Sequence, residues 1–263
     1  MAELFENVFN KATVYETLFF SIKAVLIHPT LEHLRTNNQL LYECWQHVSK
    51  SKYDADPNKV SIEFLEETYA NHAPHYPEFT KIVATTYGWL TYENGEQKRT
   101  LKKIVNEDEF VVIEMFMDVL HQLSSEGAKA SPQYFPSLCG YNLINHEIPL
   151  LIKRFLTYQD KFDINKRLPH ILKKYLFTKP WDVGVIDIAN VWKFSGLNTS
   201  PFQLITDFLG LKRTVNLLPL PELSKYYWEN VTEKPNETLE YVALQSATQT
   251  NLAILFMNEL RRL

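Results

Sequence analysis

The stretch from Phe79 to Val105 limits the possible folds more than any other part of the chain. Residues 79–92, FTKIVATTYGWLTY, alternate in polarity and are rich in Val, Ile, Thr, Tyr and Trp. Those side chains suit a pleated, half-buried surface. Asn94-Gly95 follows, the strongest short hairpin signal, because both residues accept the positive φ of a tight two-residue turn. Residues 97–105, QKRTLKKIV, read as the returning strand. An antiparallel pair therefore has to sit in the sheet.

The flanking segments fill in a mixed pattern. Residues 14–27, VYETLFFSIKAVLI, are a long apolar run whose centre, Leu18 to Ile22, suits a buried strand, and His28-Pro29 breaks it. Apolar residues at helical spacing predict helices over Leu31–His47, Ile62–Tyr69, Glu107–Leu123, Glu147–Tyr158, Leu168–Tyr175, Ser200–Leu209 and Glu240–Leu263. Gly210 is a stop signal after the sixth of these. Short strands are expected at Pro136–Tyr141 and 184–188, GVIDI. Loops are expected at Lys50–Asn58, Ser124–Pro136, Asp160–Asn165 and Lys179–Val183, and residues 217–237, with three prolines, read as mostly irregular. This order predicts an α/β chain with an antiparallel hairpin and parallel βα units.

Composition narrows the classes. With 263 residues the chain fits one large domain, given that α/β folds run to about 250 residues in one unit. A hydrophobic content of 45% supplies a core, and a net charge of −4 removes whole-chain attraction to nucleic acid or anionic membrane while leaving local basic patches open. No membrane span or signal peptide is indicated, so a cytoplasmic protein is the expectation. Cys44 and Cys139 build neither a disulfide framework nor a cysteine zinc site, and Cys139 suits a small buried apolar position. Seven glycines weaken any phosphate-loop reading, and no Walker loop, dinucleotide fingerprint or GxSxG is present. His146-Glu147 lacks the second histidine of a metalloprotease helix.

Several segments taken together resemble the DEDD-type 3′–5′ exonucleases on the ribonuclease H-like fold, in the branch related to the proofreading domains of B-family DNA polymerases. FTKIVATTYGWL sits where that family has its second strand. CGYNLINHEIPLLIKRF resembles its second motif, a Gly-x-Asn turn followed by an acid and Ile-Pro. KPWDVGVIDIANVWKFSG resembles the Trp-containing loop and short strand that follow, and FQLITDFLGL the next helix. The resemblance implies one ribonuclease H-like domain over residues 1–263, a mixed sheet flanked by helices, with an insertion around 31–78. It also implies four carboxylates holding two magnesium or manganese ions for phosphodiester cleavage.

The site departs from that pattern. The first motif ends in Asp-x-Glu, and LFFSIKA offers Ser21 and Lys23. The second motif's acid falls on Glu147. The third, Tyr-x-x-x-Asp, falls on Tyr241 with Gln245 or, one residue later, on Val242 with Ser246. Three of four acids are then gone, with Lys23 set to face Glu147, so the expectation is a site without metal and a non-catalytic nucleic-acid-binding or regulatory protein. If the registers are wrong the chain is an active exonuclease, with Glu16 and Glu240 the acids to suspect; a protein-binding scaffold is the third reading.

Each residue also has a plainer reading. Glu147 suits the first turn of a helix, where the dipole favours an acid. Asn142 suits a turn, and Lys23 a solvated strand end. Asp187, inside an apolar strand, is expected to be satisfied by backbone N–H groups. Trp181, Trp192 and Trp228 read as core packing. Asn142, with the basic pairs Lys102–Lys103 and Lys173–Lys174, is the candidate contact set for a single nucleic-acid strand. The plainer reading of those lysines, and of Lys98, Arg99, Lys166 and Arg167 beside them, is a solvated face.

Overall fold

The computed structural model of the protein describes residues 15–53, 61–130, 137–163, 168–177, 184–193 and 199–260. Trp181, Lys166, Arg167 and the expected loop Lys179–Val183 lie outside the described residues, as do parts of three other expected loops.

The hairpin is where the sequence puts it. Strand β2 (Thr80–Glu93) pairs antiparallel with β3 (Glu96–Val105), in register from Ala84↔Val105 to Glu93↔Glu96. Asn94 and Gly95 turn at φ of 54° and 83°, the left-handed pair such a turn needs. Strand β1 (Thr17–Leu26), buried along its whole length, pairs antiparallel with β2 and parallel with β4 (Ser137–Gly140). Strand β5 (Val185–Asp187) extends the parallel side. The order is β3-β2-β1-β4-β5, a five-stranded mixed sheet flanked by helices, consistent with the ribonuclease H-like form of an α/β fold.

Alternation along β1 assigns its two faces. Leu18, Phe20, Ile22 and Ala24 join one cluster with Val112, Ile113, Phe116 and Leu120 of helix α4 (Glu109–Ala130) and with Leu151 and Phe155 of α5 (Ile148–Thr157). Phe19 points the other way, into a cluster with Leu252, Phe256 and Met257 of the last helix. Side chains two residues apart share a face, so Ser21 and Lys23 lie beneath that last helix too.

Between β1 and β2 lie three helices, α1 (Leu31–Asn37), α2 (Gln39–Tyr53) and α3 (Ile62–His72). They enclose a separate cluster around Trp45, whose ring meets Tyr69, Tyr76 and Phe79 edge-on. The single helix expected over Leu31–His47 is broken at Asn38. Asn38 takes φ −152° and caps α2 by accepting from the Leu41 N–H, a bond its short amide makes more readily than a helical one.

The C-terminal half holds α6 (His170–Phe177), α7 (Ile188–Trp192), α8 (Phe202–Phe208), α9 (Leu220–Asn230) and α10 (Pro235–Leu260). Three expectations need correction. Residues 220–230 are helical, because Pro219 and Pro221 stand at and just inside a helix start, where a missing N–H costs nothing. The last helix begins at Pro235 rather than Glu240 for the same reason. Helix α4 continues to Ala130 through much of the loop expected at Ser124–Pro136. Trp192 and Trp228 do pack: Trp192 lies against Phe208 and Phe256, and the Trp228 indole N–H donates to Leu26 O at 2.9 Å. Cys139 is fully buried in β4.

Candidate functional site

The resemblance points to the place where β1, the turn after β4 and α10 meet. That turn is built by Gly140 and Asn142. A Cβ at Gly140 would stand 2.6 Å from Phe20 O, so only glycine lets β4 pass so close to β1 there. Asn142 takes the left-handed conformation at φ 58° and ψ 34°. Its carbonyl accepts from the N–H groups of His146 and Glu147, winding Leu143–Glu147 into one wide π turn before α5. Pro149 then sits in the first turn of α5. The result drives Glu147 inward, and it is 3% exposed. It stands at the start of that helix, as the plainer reading has it, but buried.

Asp187 braces this turn from β5. One carboxylate oxygen accepts from the Asn142 and Ala189 N–H groups at 2.8 and 3.0 Å, the other from Ile144 N–H at 2.9 Å. Burial pushes its pKa up, and those three N–H groups oppose the shift. Its oxygens are therefore taken by backbone.

Four side chains meet at the centre. Glu147 Oε1 accepts from Ser21 Oγ at 3.1 Å and from Gln249 Nε2 at 3.0 Å. Gln249 Oε1 accepts from Lys23 Nζ at 2.5 Å. Lys23 therefore reaches Glu147 through the Gln249 amide, and it is buried rather than solvated. Burial pushes Glu147 up to about 8, with the Lys23 charge and the Ser21 hydroxyl pulling the other way. Burial likewise pulls Lys23 down, with Glu147 opposing. His146 is pulled down to about 4 by burial, then by His75 and Lys23. Glu147 Oε2 and Thr86 Oγ1 are buried with no hydrogen-bond partner among the described residues.

Neither third-motif candidate lies at this centre. Gln245 bonds Leu218 N, Asn216 O and Tyr241 Oη, pinning the segment before α9. Ser246 Oγ donates to Ser21 O at 2.6 Å and accepts from Thr86 N at 2.9 Å, so it ties α10 to the β1–β2 pair. The residue that reaches Glu147 is Gln249, one helical turn beyond Gln245. The signal for it was present as spacing, since Gln245 and Gln249 are i and i+4 on one helix face.

The remaining candidates lie apart. Lys102 and Lys103 are on the edge strand β3, separated from β1 by β2. Lys102 lies over the Trp89 ring at 5.3 Å, and Lys103 pairs with Glu240. Glu240 is thus a surface partner of Lys103, and Glu16 is exposed ahead of β1. Lys173 and Lys174 are half-buried on α6.

The donor set does not fit two divalent ions. One carboxylate, an ammonium, a hydroxyl and a carboxamide converge, whereas hard cations in such sites are held by several anionic oxygens. No group of three or more His, Cys, Asp or Glu side chains suited to a metal occurs among the described residues. Among the described residues no helix is long and apolar enough to cross a membrane. No protein-family model and no curated protein matches the chain.

Proposed function

We propose that this chain is a non-catalytic ribonuclease H-like protein, related in form to the DEDD-type 3′–5′ exonucleases, that holds a single nucleic-acid strand without cutting it. The observation that carries the reading is Lys23. Its ammonium, the Ser21 hydroxyl and the Gln249 amide surround the single acid Glu147, where cleavage would need a cluster of carboxylates. Together they fill the space between β1 and α10 with buried side chains and leave one carboxyl where metal ions need several anionic oxygens. Strand holding is supported separately, on the opposite face of the sheet, by the half-buried Tyr87 and Trp89, stacked at 6.2 Å with Lys102 beside them. Aromatic rings with a neighbouring cation suit an unpaired base next to phosphate.

A protein-binding scaffold is the second reading, favoured by Leu204 and Phe208, which stand 60% and 77% exposed one turn apart on α8. The test is to incubate the full chain with labelled single-stranded DNA and RNA in manganese. The expected result is a retarded band and no shortening, with cleavage recovered on combining Ser21→Asp, Lys23→Glu and Gln249→Asp. Shortening by the wild type that Glu147→Gln abolishes would establish an active nuclease instead. Failure to retard any strand would favour the scaffold.

A further inference from the structure

Where β1 ends, the chain places two imidazoles head to head. His28 Nδ1 and His33 Nδ1 are 3.0 Å apart, with ring centroids at 5.1 Å. The backbone of each residue is anchored. The His28 carbonyl accepts from Tyr69 Oη at 3.1 Å, and the His33 N–H is capped by Thr30 Oγ1 at 3.1 Å. A third polar group, the Asn37 carboxamide, lies 3.2 Å from His33 Nδ1 and is anchored on His33 O. The one acid nearby in sequence, Glu32, is engaged by Arg35.

Two neutral imidazoles this close share one proton: one Nδ1 donates and the other accepts. Moving that proton to the Nε2 of the donor ring, its other tautomer, frees both Nδ1 lone pairs to act as ligands to a metal ion. We propose that His28 and His33 form a two-imidazole site for a late first-row divalent cation, completed by the Asn37 side-chain oxygen after rotation of its amide and by water. With metal–nitrogen bonds of about 2.0–2.1 Å, nitrogens 3.0 Å apart subtend about 90° at the ion. That matches a cis pair of a square or octahedral centre, the geometry of nickel or copper. A small turn of each ring about its soft χ2 brings both lone pairs to one point. His33 is exposed, so the ion has a path in.

Occupancy would clip α1 to the end of β1, the strand that carries Ser21 and Lys23. The site stands apart from the strand-holding reading and does not depend on it. The test is calorimetric titration of the untagged full chain with nickel chloride near pH 7.5, alongside His28→Gln, His33→Gln and the control His47→Gln. Expected is a saturable isotherm of one equivalent in the wild type and in His47→Gln, weakened at least tenfold in each of the other two. Nickel should also raise the melting temperature of the wild type but not of His33→Gln, since a ligand stabilises only the state that binds it. No saturation up to about 1 mM, the weak end of measurable affinity, would overturn the site. So would binding that survives either His28→Gln or His33→Gln, or that is lost in His47→Gln.

Discussion

Two buried ionic clusters sit on opposite faces of the same sheet, and they are built on different rules. On the α4–α5 face, Glu109 receives Arg154 through two bonds, Nε at 2.9 Å and Nη2 at 2.5 Å. It also takes Tyr158 Oη at 3.0 Å and Ile82 N–H at 2.6 Å. The forked guanidinium grips the carboxylate with two bonds, and both carboxylate oxygens are filled. On the α10 face, Lys23 meets Glu147 only through an amide, and Glu147 Oε2 has no partner among the described residues. One cluster is closed as an ion pair. The other keeps a carboxyl in a place where desolvation outweighs the stabilising contacts, which is what a site shaped for something other than stability looks like.

The contrast breaks most visibly at Arg154. Arg154→Met leaves a buried Glu109 without its counter-charge, and unfolding by urea should show a loss of about 3–5 kcal/mol. A loss below 1 kcal/mol would put the two clusters in one class. Next comes Asp187, a third buried acid whose contacts are all backbone. Asp187→Ala strands the N–H groups of Asn142, Ile144 and Ala189 and should cost about 1–3 kcal/mol. Unchanged melting with lost strand binding would make Asp187 functional instead of structural.

Much of this arrangement was legible in the residues. Alternation in β1 puts Ser21 and Lys23 on one face, the Gly140–Asn142 turn announces Glu147, and Asn94-Gly95 sets the hairpin register. What stayed hidden has physical causes. Helix α10 is buried on nearly all sides, from Thr238 and Val242 through Gln249 and Thr250 to Met257, so no apolar stripe phases it against the sheet. The Tyr-x-x-x-Asp spacing of the resembled family points to Gln245 or Ser246, and no apolar phase corrects it to Gln249. Helix α9 was missed because its prolines mark a start, not an interruption. The Glu109–Arg154 pair spans 45 residues and two helices, and no local pattern signals it.

Lys23 gives a smaller and more discriminating effect. Because burial holds the Glu147 proton up to about pH 8, Lys23→Met at pH 7 leaves a neutral acid behind rather than a bare charge. The main loss is one acceptor, Gln249 Oε1, so the change should cost about 1 kcal/mol or less. A loss as large as that of Arg154→Met would mean that Glu147 is ionised and that Lys23 is its true counter-ion.

The finest test is the pH slope of stability. Glu147 binds its proton more tightly folded, at about 8, than unfolded, at its ordinary 4.5. Folded chains then hold a proton that unfolded chains release, and linkage makes stability fall as pH rises between those values. His146 acts with the opposite sign. Its pKa drops from 6.5 to about 4 on folding, so its effect is a loss of stability as pH falls through that interval. His28 and His75, both lowered from 6.5 by burial, add to the loss on that side. Toward pH 8 the contributions of His28, His75 and His146 fade, leaving Glu147 and its neighbour Lys23, whose lowered pKa acts in the opposite sense. Melting followed from pH 7 to 8 should therefore show stability falling more steeply with rising pH in the wild type than in Glu147→Gln. Equal slopes in the two proteins would mean that Glu147 is ionised throughout and that the α10 cluster is an ion pair like its counterpart on the other face.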